Sequence, residues 1–424
     1  MQQSEWGLAC HHSGTCALTG SSAFFASVPG SCVMINGPMW CYFYAMKYID
    51  EMIPHASRRF YCTQPSQNSL VYGTEAELLE AFDYVKKYMP ADRIFLENNC
   101  SVSLVGDDLS GIAEKANVSC PVYTMDSGGL NGSFAGGYEK AFLIAVDNMK
   151  SQEKVKQSVN ILGLSSVYFK GKEDALEIKR LVEKAGIQVI SMPGTGDEWE
   201  TILRSPAAML NVVVREELAL KAAQRMEKEF GIPYISIGMP YGIEGTLAWI
   251  TKISDQFHIK NESIPDEAVQ RKDRMLYAGG NLQSLWGSLW FDEVLISAPP
   301  SEAFGIADAI RTEWIDTGRL IIHSMDKSSY EIKSADSVRL AGADDKEIKK
   351  DYESWSGGLL LGSSHESSRL IRLRKPFASV NIARPSLDEI SVSDLPLCGL
   401  RGAEYLYERL WNVKIREQMR TQKE

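Results

Sequence analysis

From residue 155 onward the chain alternates short apolar runs with amphipathic stretches, and this alternation constrains its fold more than any other feature. Residues 159–164 form an apolar run containing Gly163. An amphipathic stretch over 173–185 follows and closes on Gly186, a residue suited to the left-handed position after a helix. Residues 187–192 predict the next strand, broken by Pro193-Gly194. A buried-type strand at 210–214 leads into a helix over 216–230 ended by Gly231, then a strand at 234–237 and a helix from about Glu244. Strands alternating with helices in this way imply right-handed βαβ units and parallel sheets. A third unit, roughly 275–385, carries the same rhythm less clearly; its best strand is 359–361, followed by Gly362-Ser363-Ser364-His365 and a helix. The last helix is expected from about Arg401.

The start of the chain differs. Residues 1–65 are rich in Gly, Ser, Cys and aromatics with little periodicity, the pattern of backbone wrapped around a site. A helix over 75–89 and a strand at 93–96 running into Asn98-Asn99-Cys100 come next. At 424 residues the chain exceeds one compact core. The divisions expected are an α/β domain at 1–150, a doubly wound domain at 151–260, and a third α/β domain with the C-terminal helix at 261–424.

A net charge of −10 argues against nucleic-acid binding and against an anionic membrane surface, both of which need a basic excess or patch. No apolar run reaches the length of a membrane span. Residues 1–20 carry no Lys or Arg before their weakly apolar stretch, so a secretory signal is not expected and a cytoplasmic location is.

In a reducing compartment the eight cysteines are not expected to pair. Seven lie in the first 120 residues and the next 277 have none, a distribution unlike that of scattered core thiols. Cys16 follows Ser13-Gly14-Thr15, Cys41 opens an amphipathic stretch over 42–52, and Cys100 sits at the carboxyl end of a strand. Strand carboxyl ends are where α/β folds place ligands, and helix N-termini favour thiolates. The spacing, 24 residues and then 58, matches no zinc ribbon and no ferredoxin run.

The flanking residues are more specific. Cys16-Ala17-Leu18-Thr19-Gly20 and Asn36-Gly37-Pro38-Met39-Trp40-Cys41 resemble the first two cluster-ligand motifs of the nitrogenase component 1 family. Asn68-Ser69-Leu70-Val71-Tyr72-Gly73 with Glu77-Leu78-Leu79, and Cys100-Ser101-Val102-Ser103-Leu104-Val105-Gly106-Asp107-Asp108, are similar to the segments around its third ligand. The likeness continues in order through Gly128-Gly129-Leu130-Asn131-Gly132-Ser133 with Gly137-Tyr138, Glu227-Lys228-Glu229-Phe230-Gly231-Ile232-Pro233, Gly362-Ser363-Ser364-His365-Glu366 and Gly399-Leu400-Arg401-Gly402-Ala403.

The resemblance implies an α/β fold of three Rossmann-like domains with parallel sheets around a central crevice. It implies that Cys16, Cys41 and Cys100 ligate an interfacial iron–sulfur cluster, either 4Fe-4S or a shared 8Fe-7S cluster of the P-cluster type. The implied partners are a homologous component 1 subunit, paralogue or self, in a dimer or heterotetramer, and an ATP-dependent 4Fe-4S reductase protein. The expected function is a subunit of a nitrogenase-like reductase relaying electrons to a substrate; the alternative in the same family is a scaffold for metallocluster assembly.

Two positions depart from the catalytic subunits of the family. Arg215 stands where they carry a cofactor-anchoring cysteine, and Cys398 where they carry a histidine. Arg215 is therefore read either as a contact for an anionic substrate or as the partner of Glu216 or Glu217, and Cys398 either as a thiolate donor near substrate or as a buried thiol. Elsewhere Cys32, Cys62 and Cys120 are expected to pack and His11 and His12 to face solvent. Cys10 is also expected to pack, with a register shift making it a rival of Cys16. Asp107 and Asp108 are expected to cap the following helix, and Trp286, Trp290 and Phe291 to lie in the core or a subunit interface.

Overall fold

The computed structural model describes residues 15–128, 132–327 and 335–421. Its strands form three sheets, each parallel throughout. The first holds β1 (Ser31–Asn36), β2 (Phe60–Cys62), β3 (Arg93–Asn98) and β4 (Val122–Asp126) in the order β2-β1-β3-β4. The second holds β5 (Ser158–Leu162), β6 (Gln188–Ser191), β7 (Leu210–Val213) and β8 (Tyr234–Ser236) in the order β6-β5-β7-β8. The third holds β9 (Trp290–Ala298), β10 (Asp316–Ser324), β11 (Ser337–Leu340), β12 (Leu359–Gly362) and β13 (Ala378–Asn381) in the order β11-β10-β9-β12-β13. In each sheet the strand order reverses once, between β1 and β3, β5 and β7, and β9 and β12. At such a reversal the flanking loops leave toward opposite faces and open a crevice at the strands' carboxyl ends.

The alternation read from the sequence appears here as strands and helices. The helix Glu216–Phe230 ends on Gly231 in the left-handed conformation (φ 65°), and Ser363 and Glu366 form a reciprocal capping box on the helix Ser364–Arg372. Asp108 caps Leu109–Ala116 as expected, its side chain accepting from the Gly111 N–H at 3.0 Å. Asp107 does not; it accepts from the Thr74 N–H and hydroxyl at 2.8 and 2.6 Å, joining two loops of the first sheet. Phe291 is buried, whereas Trp290 on the same strand is exposed.

The aperiodic start of the chain conceals a helix, Ala17–Ala26, with every residue buried. It has no solvent face, so it has no 3.6-residue polar–apolar period to read. It crosses the helix Phe134–Asp147 at backbone contact: a Cβ on Gly20 would stand 1.9 Å from the Phe134 carbonyl oxygen, and one on Gly137 would stand 1.9 Å from that of Ala17.

The three sheets share their cores. One apolar cluster includes Val33 and Phe95 of the first sheet with Leu162 and Val213 of the second; another includes Val159 and Val212 of the second with Val294 and Leu361 of the third. A single guanidinium also joins all three units. Arg384, beyond β13, donates to the Tyr48 carbonyl (2.9 Å) and the Val167 carbonyl (3.2 Å), pairs with Glu51, and lies 4.2 Å over the Tyr48 ring. It is buried, at the C-terminus of the helix Met39–Asp50, where the dipole favours a cation. Arg384→Ala, which orphans one buried and one half-buried carbonyl, should destabilise the protein by about 2–4 kcal/mol in urea denaturation. Arg384→Lys should recover less than half of that loss, because an ammonium lacks the planar fork.

Glu97, on β3, is fully buried with no cation partner among the described residues; it accepts hydrogen bonds from Ser21 and from Ser22 (2.9 Å) on the helix Ala17–Ala26. Burial pushes its carboxyl up to about 7, against the serine bonds that favour the anion. The folded state therefore holds this proton over a range where the unfolded chain has released it. The Glu97 contribution to stability is fully present below about pH 4.5 and is lost as pH rises through 7. Glu97→Gln should remove about 3 kcal/mol of that pH dependence, making the variant more stable than the parent at pH 8 by thermal or urea melts.

Candidate functional site

The switch point of the first sheet gathers the three cysteines singled out from the sequence. Cys16 is the N-cap of the helix Ala17–Ala26, in a β-bridge with Ser133; the adjacent Ala17 N–H donates to the Gly132 carbonyl at 3.1 Å. Cys41 lies in the first turn of the helix Met39–Asp50, which follows β1, inside the helix rather than ahead of it. Cys100 opens the short helix Cys100–Ser103, which follows β3. All three are half-buried.

Asn99 organises two of them. Its Oδ1 accepts from the Val102 N–H (3.1 Å), capping the Cys100 helix, and its Nδ2 donates to Cys41 Sγ at 3.3 Å. Its own N–H reaches the Asn36 carbonyl at 3.0 Å, tying the two strand ends together. Gly37 leaves the space Asn99 needs, since a Cβ there would stand 2.5 Å from the amide carbon. Burial pushes the Cys41 thiol up, the Asn99 bond offsets part of the rise, and the Cys16 and Cys100 thiols add to it. The Cys41 sulfur therefore lies within electrostatic reach of both others. Cys62 joins them from β2, its thiol donating to the Gly37 carbonyl at 3.1 Å, and is also raised by burial and by Cys41.

The expectation that these cysteines hold an iron–sulfur cofactor is not met. Among the described residues no group of three or more His, Cys, Asp or Glu side chains could hold a metal ion. The thiols lie on three separate segments, each directed by its own helix start, so the chain presents an open arrangement instead of a closed coordination shell. Cys10, His11 and His12 lie outside the described residues, as do Gly129, Leu130 and Asn131 of the glycine-rich loop.

Large apolar side chains surround this end of the sheet in solvent. Met39, Trp40, Phe43 and Tyr44 lie on the Cys41 helix, Leu104 follows the Cys100 helix, and Val71 and Tyr72 lie on Ser69–Tyr72, with Trp40 70% and Tyr72 86% exposed. Patches of this kind mark docking surfaces.

The switch points of the second and third sheets face each other across a different environment. Arg215 follows β7 and is fully buried. It pairs with neither Glu216 nor Glu217: its Nη2 lies 2.6 Å from Glu302 Oε1, beyond β9, and 4.0 Å from Asp174 Oδ2, while its guanidinium sits 4.7 Å over the Tyr168 ring. Glu217 instead accepts from the Ser301 hydroxyl (2.8 Å), and Glu216 from that of Ser236 (2.6 Å). Burial raises the Asp174 carboxyl to about 6, against the pull of Arg215, and raises Glu217 to about 7, with Glu302 adding to the effect. Cys398 is fully buried, its thiol 3.7 Å from the Asp174 carbonyl oxygen, and burial raises it well above the usual thiol range. The position that anchors a cofactor in the catalytic subunits of the resembled family is thus filled here by an internal ion pair. Sequence reasoning missed Asp174 and Glu302, whose role depends on partners far along the chain.

Comparison with known proteins agrees with the fold. A nitrogenase component 1 type oxidoreductase family profile matches residues 16–414. The nitrogenase iron-molybdenum cofactor biosynthesis protein NifE of Clostridium pasteurianum is 24% identical over 350 residues, covering 75% of this chain and 74% of that protein. NifE of a Nostoc species is 24% identical over 448 residues, covering 99% and 87%. A light-independent protochlorophyllide reductase subunit of Chloroflexus aggregans is 27% identical over 204 residues, covering 46% of this chain and 37% of that protein. The solved structure of nitrogenase Cp1 at pH 6.5 shares the fold with a TM-score of 0.79 at 17% identity, covering 97% of this chain and 94% of that one. With the profile spanning nearly the whole of its length, this chain belongs to the nitrogenase component 1 type oxidoreductase family.

Proposed function

We propose that this chain is a scaffold on which a metallocluster is assembled and passed on, acting as one subunit beside a homologous partner. The cluster is cargo, and no resident metal cofactor is assigned to the chain. The observation that carries the reading is the contrast between two switch points. One presents half-buried thiols at helix starts with no closed metal site among the described residues; the other is filled by Arg215 and its carboxylates. A component that hands its cargo on needs soft donors that bind without enclosing, and thiols at helix N-termini are such donors. Cys16, Cys41 and Cys100 are the residues proposed to receive it. Arg215 and Cys398 receive no catalytic role, since both are buried in internal contacts.

Two relatives named for iron-molybdenum cofactor biosynthesis align over 75% and 99% of the chain, which supports the same reading. The exposed apolar patch beside the thiols fits an uncharged surface of a related subunit, whose own donors would complete the hold on the cargo.

The chain, purified anaerobically with its co-expressed partner from a host that assembles metalloclusters, should carry metal that moves to an acceptor apoprotein. Cys100→Ala should cut that transfer by about tenfold or more while leaving the melting temperature within a few degrees. Metal that stays bound throughout, combined with continuous turnover of a small substrate on adding an ATP-dependent reductase, would instead establish electron relay.

A further inference from the structure

The 17 residues between β13 and the last helix, Gly399–Thr421, contain neither helix nor strand. Connections of that length inside a compact fold are uncommon and tend to be functional. This one is held at both ends. Arg384 grips the first and second units at its start, and at its finish the Leu397 and Cys398 N–H groups donate to Asp174 at 2.7 and 3.0 Å.

Between those anchors polar contacts tie the segment to the body: Asp388 accepts from Asn381 (2.7 Å), Glu389 pairs with Arg409, and the Ser393 carbonyl and hydroxyl accept from the Lys170 ammonium at 2.6 and 3.2 Å. Its large apolar side chains turn outward, with Leu387 75%, Ile390 92% and Val392 90% exposed. Lys170 itself is buried, its ammonium 5.7 Å from the Tyr405 ring centre. Detaching the segment therefore breaks a few polar contacts that water can replace and removes little apolar surface from the core, the profile of a low-energy local opening.

Beneath its C-terminal anchor lies the junction of the second and third sheets. Asp174 Oδ2, Glu302 Oε2 and Tyr241 Oη are buried there without a hydrogen-bond partner among the described residues. Buried polar atoms left unpaired are costly, so any opening that admits a hydrogen-bonding molecule to them is favoured in return.

We infer that residues 386–396 form a strap, latched by Lys170, that opens to admit water and small polar solutes to the Asp174–Arg215–Glu302 junction. The inference stands independently of the scaffold reading, because it concerns the other crevice and needs no metal.

Two buried thiols report on it. Cys398 lies two residues beyond the strap, against Asp174, and Cys32 lies in the first sheet, 0% and 2% exposed. Native protein would be treated with iodoacetamide, and modification at each cysteine followed by peptide mass spectrometry. Cys398 should react faster than Cys32. Lys170→Met, which keeps the aliphatic stem and removes the ammonium, should raise the Cys398 rate by about tenfold and leave Cys32 unchanged. Glu389→Gln, which weakens the Arg409 latch, should raise the Cys398 rate by a smaller factor. Equal rates at the two cysteines, a parallel rise at both, or a Cys398 rate indifferent to Lys170→Met would overturn the strap and leave global unfolding as the only route to that thiol.

Discussion

Arg384 is the constraint on which the arrangement of the three sheets turns. One guanidinium satisfies carbonyls from the first and second units while its own backbone belongs to the third. It reaches the C-terminus of the helix whose first turn carries Cys41, so the position of that thiol depends on a contact made more than 330 residues later in the chain. Arginine suits this post because it stays charged when buried and presents several donors in a fixed plane. Ser133 makes a second tie of the same sense: beside Cys16, it donates to Asp326 of the third unit at 2.9 Å. The thiol end of the molecule is thus braced from a distance.

Local chemistry is legible in the sequence, and remote pairing is not. The glycine that ends Glu216–Phe230, the capping box at Ser363 and Glu366, and the placement of Cys100 after a strand end all follow from neighbours within a few residues. The helix Ala17–Ala26 escapes because complete burial erases the contrast between faces. Asp107 resembles a cap because it stands next to one, yet its partner is Thr74. Arg215 stands beside two glutamates in the chain, while the carboxylate it uses is 87 residues away. The two side-chain misses share an origin: each residue sits beside one group in the chain and beside another in space.

The two crevices illustrate how one architecture separates holding from filling. In the first, the strand ends are drawn together by Asn99 and the thiols remain half-buried. In the second, the equivalent space is closed by charge: Arg215 neutralises one carboxylate and lies within reach of a second, while burial keeps Asp174 and Glu217 partly protonated near neutrality. Replacing an anchor by an internal ion pair changes what the site can do and leaves the sheets around it in place, which is how one fold serves several chemistries.

The long-range bracing of the thiol end has a consequence for synthesis. Cys16, Cys41 and Cys100 leave the ribosome well before Arg384, which fixes one of their helices. At about 5–20 residues per second, the interval between Cys100 and Arg384 lasts roughly 15–60 seconds. Throughout it the nascent chain carries a set of reactive sulfurs whose final geometry cannot yet form. Slower elongation lengthens that interval in proportion, so the brace on the Cys41 helix is the late step of synthesis, whatever the stability of the finished fold.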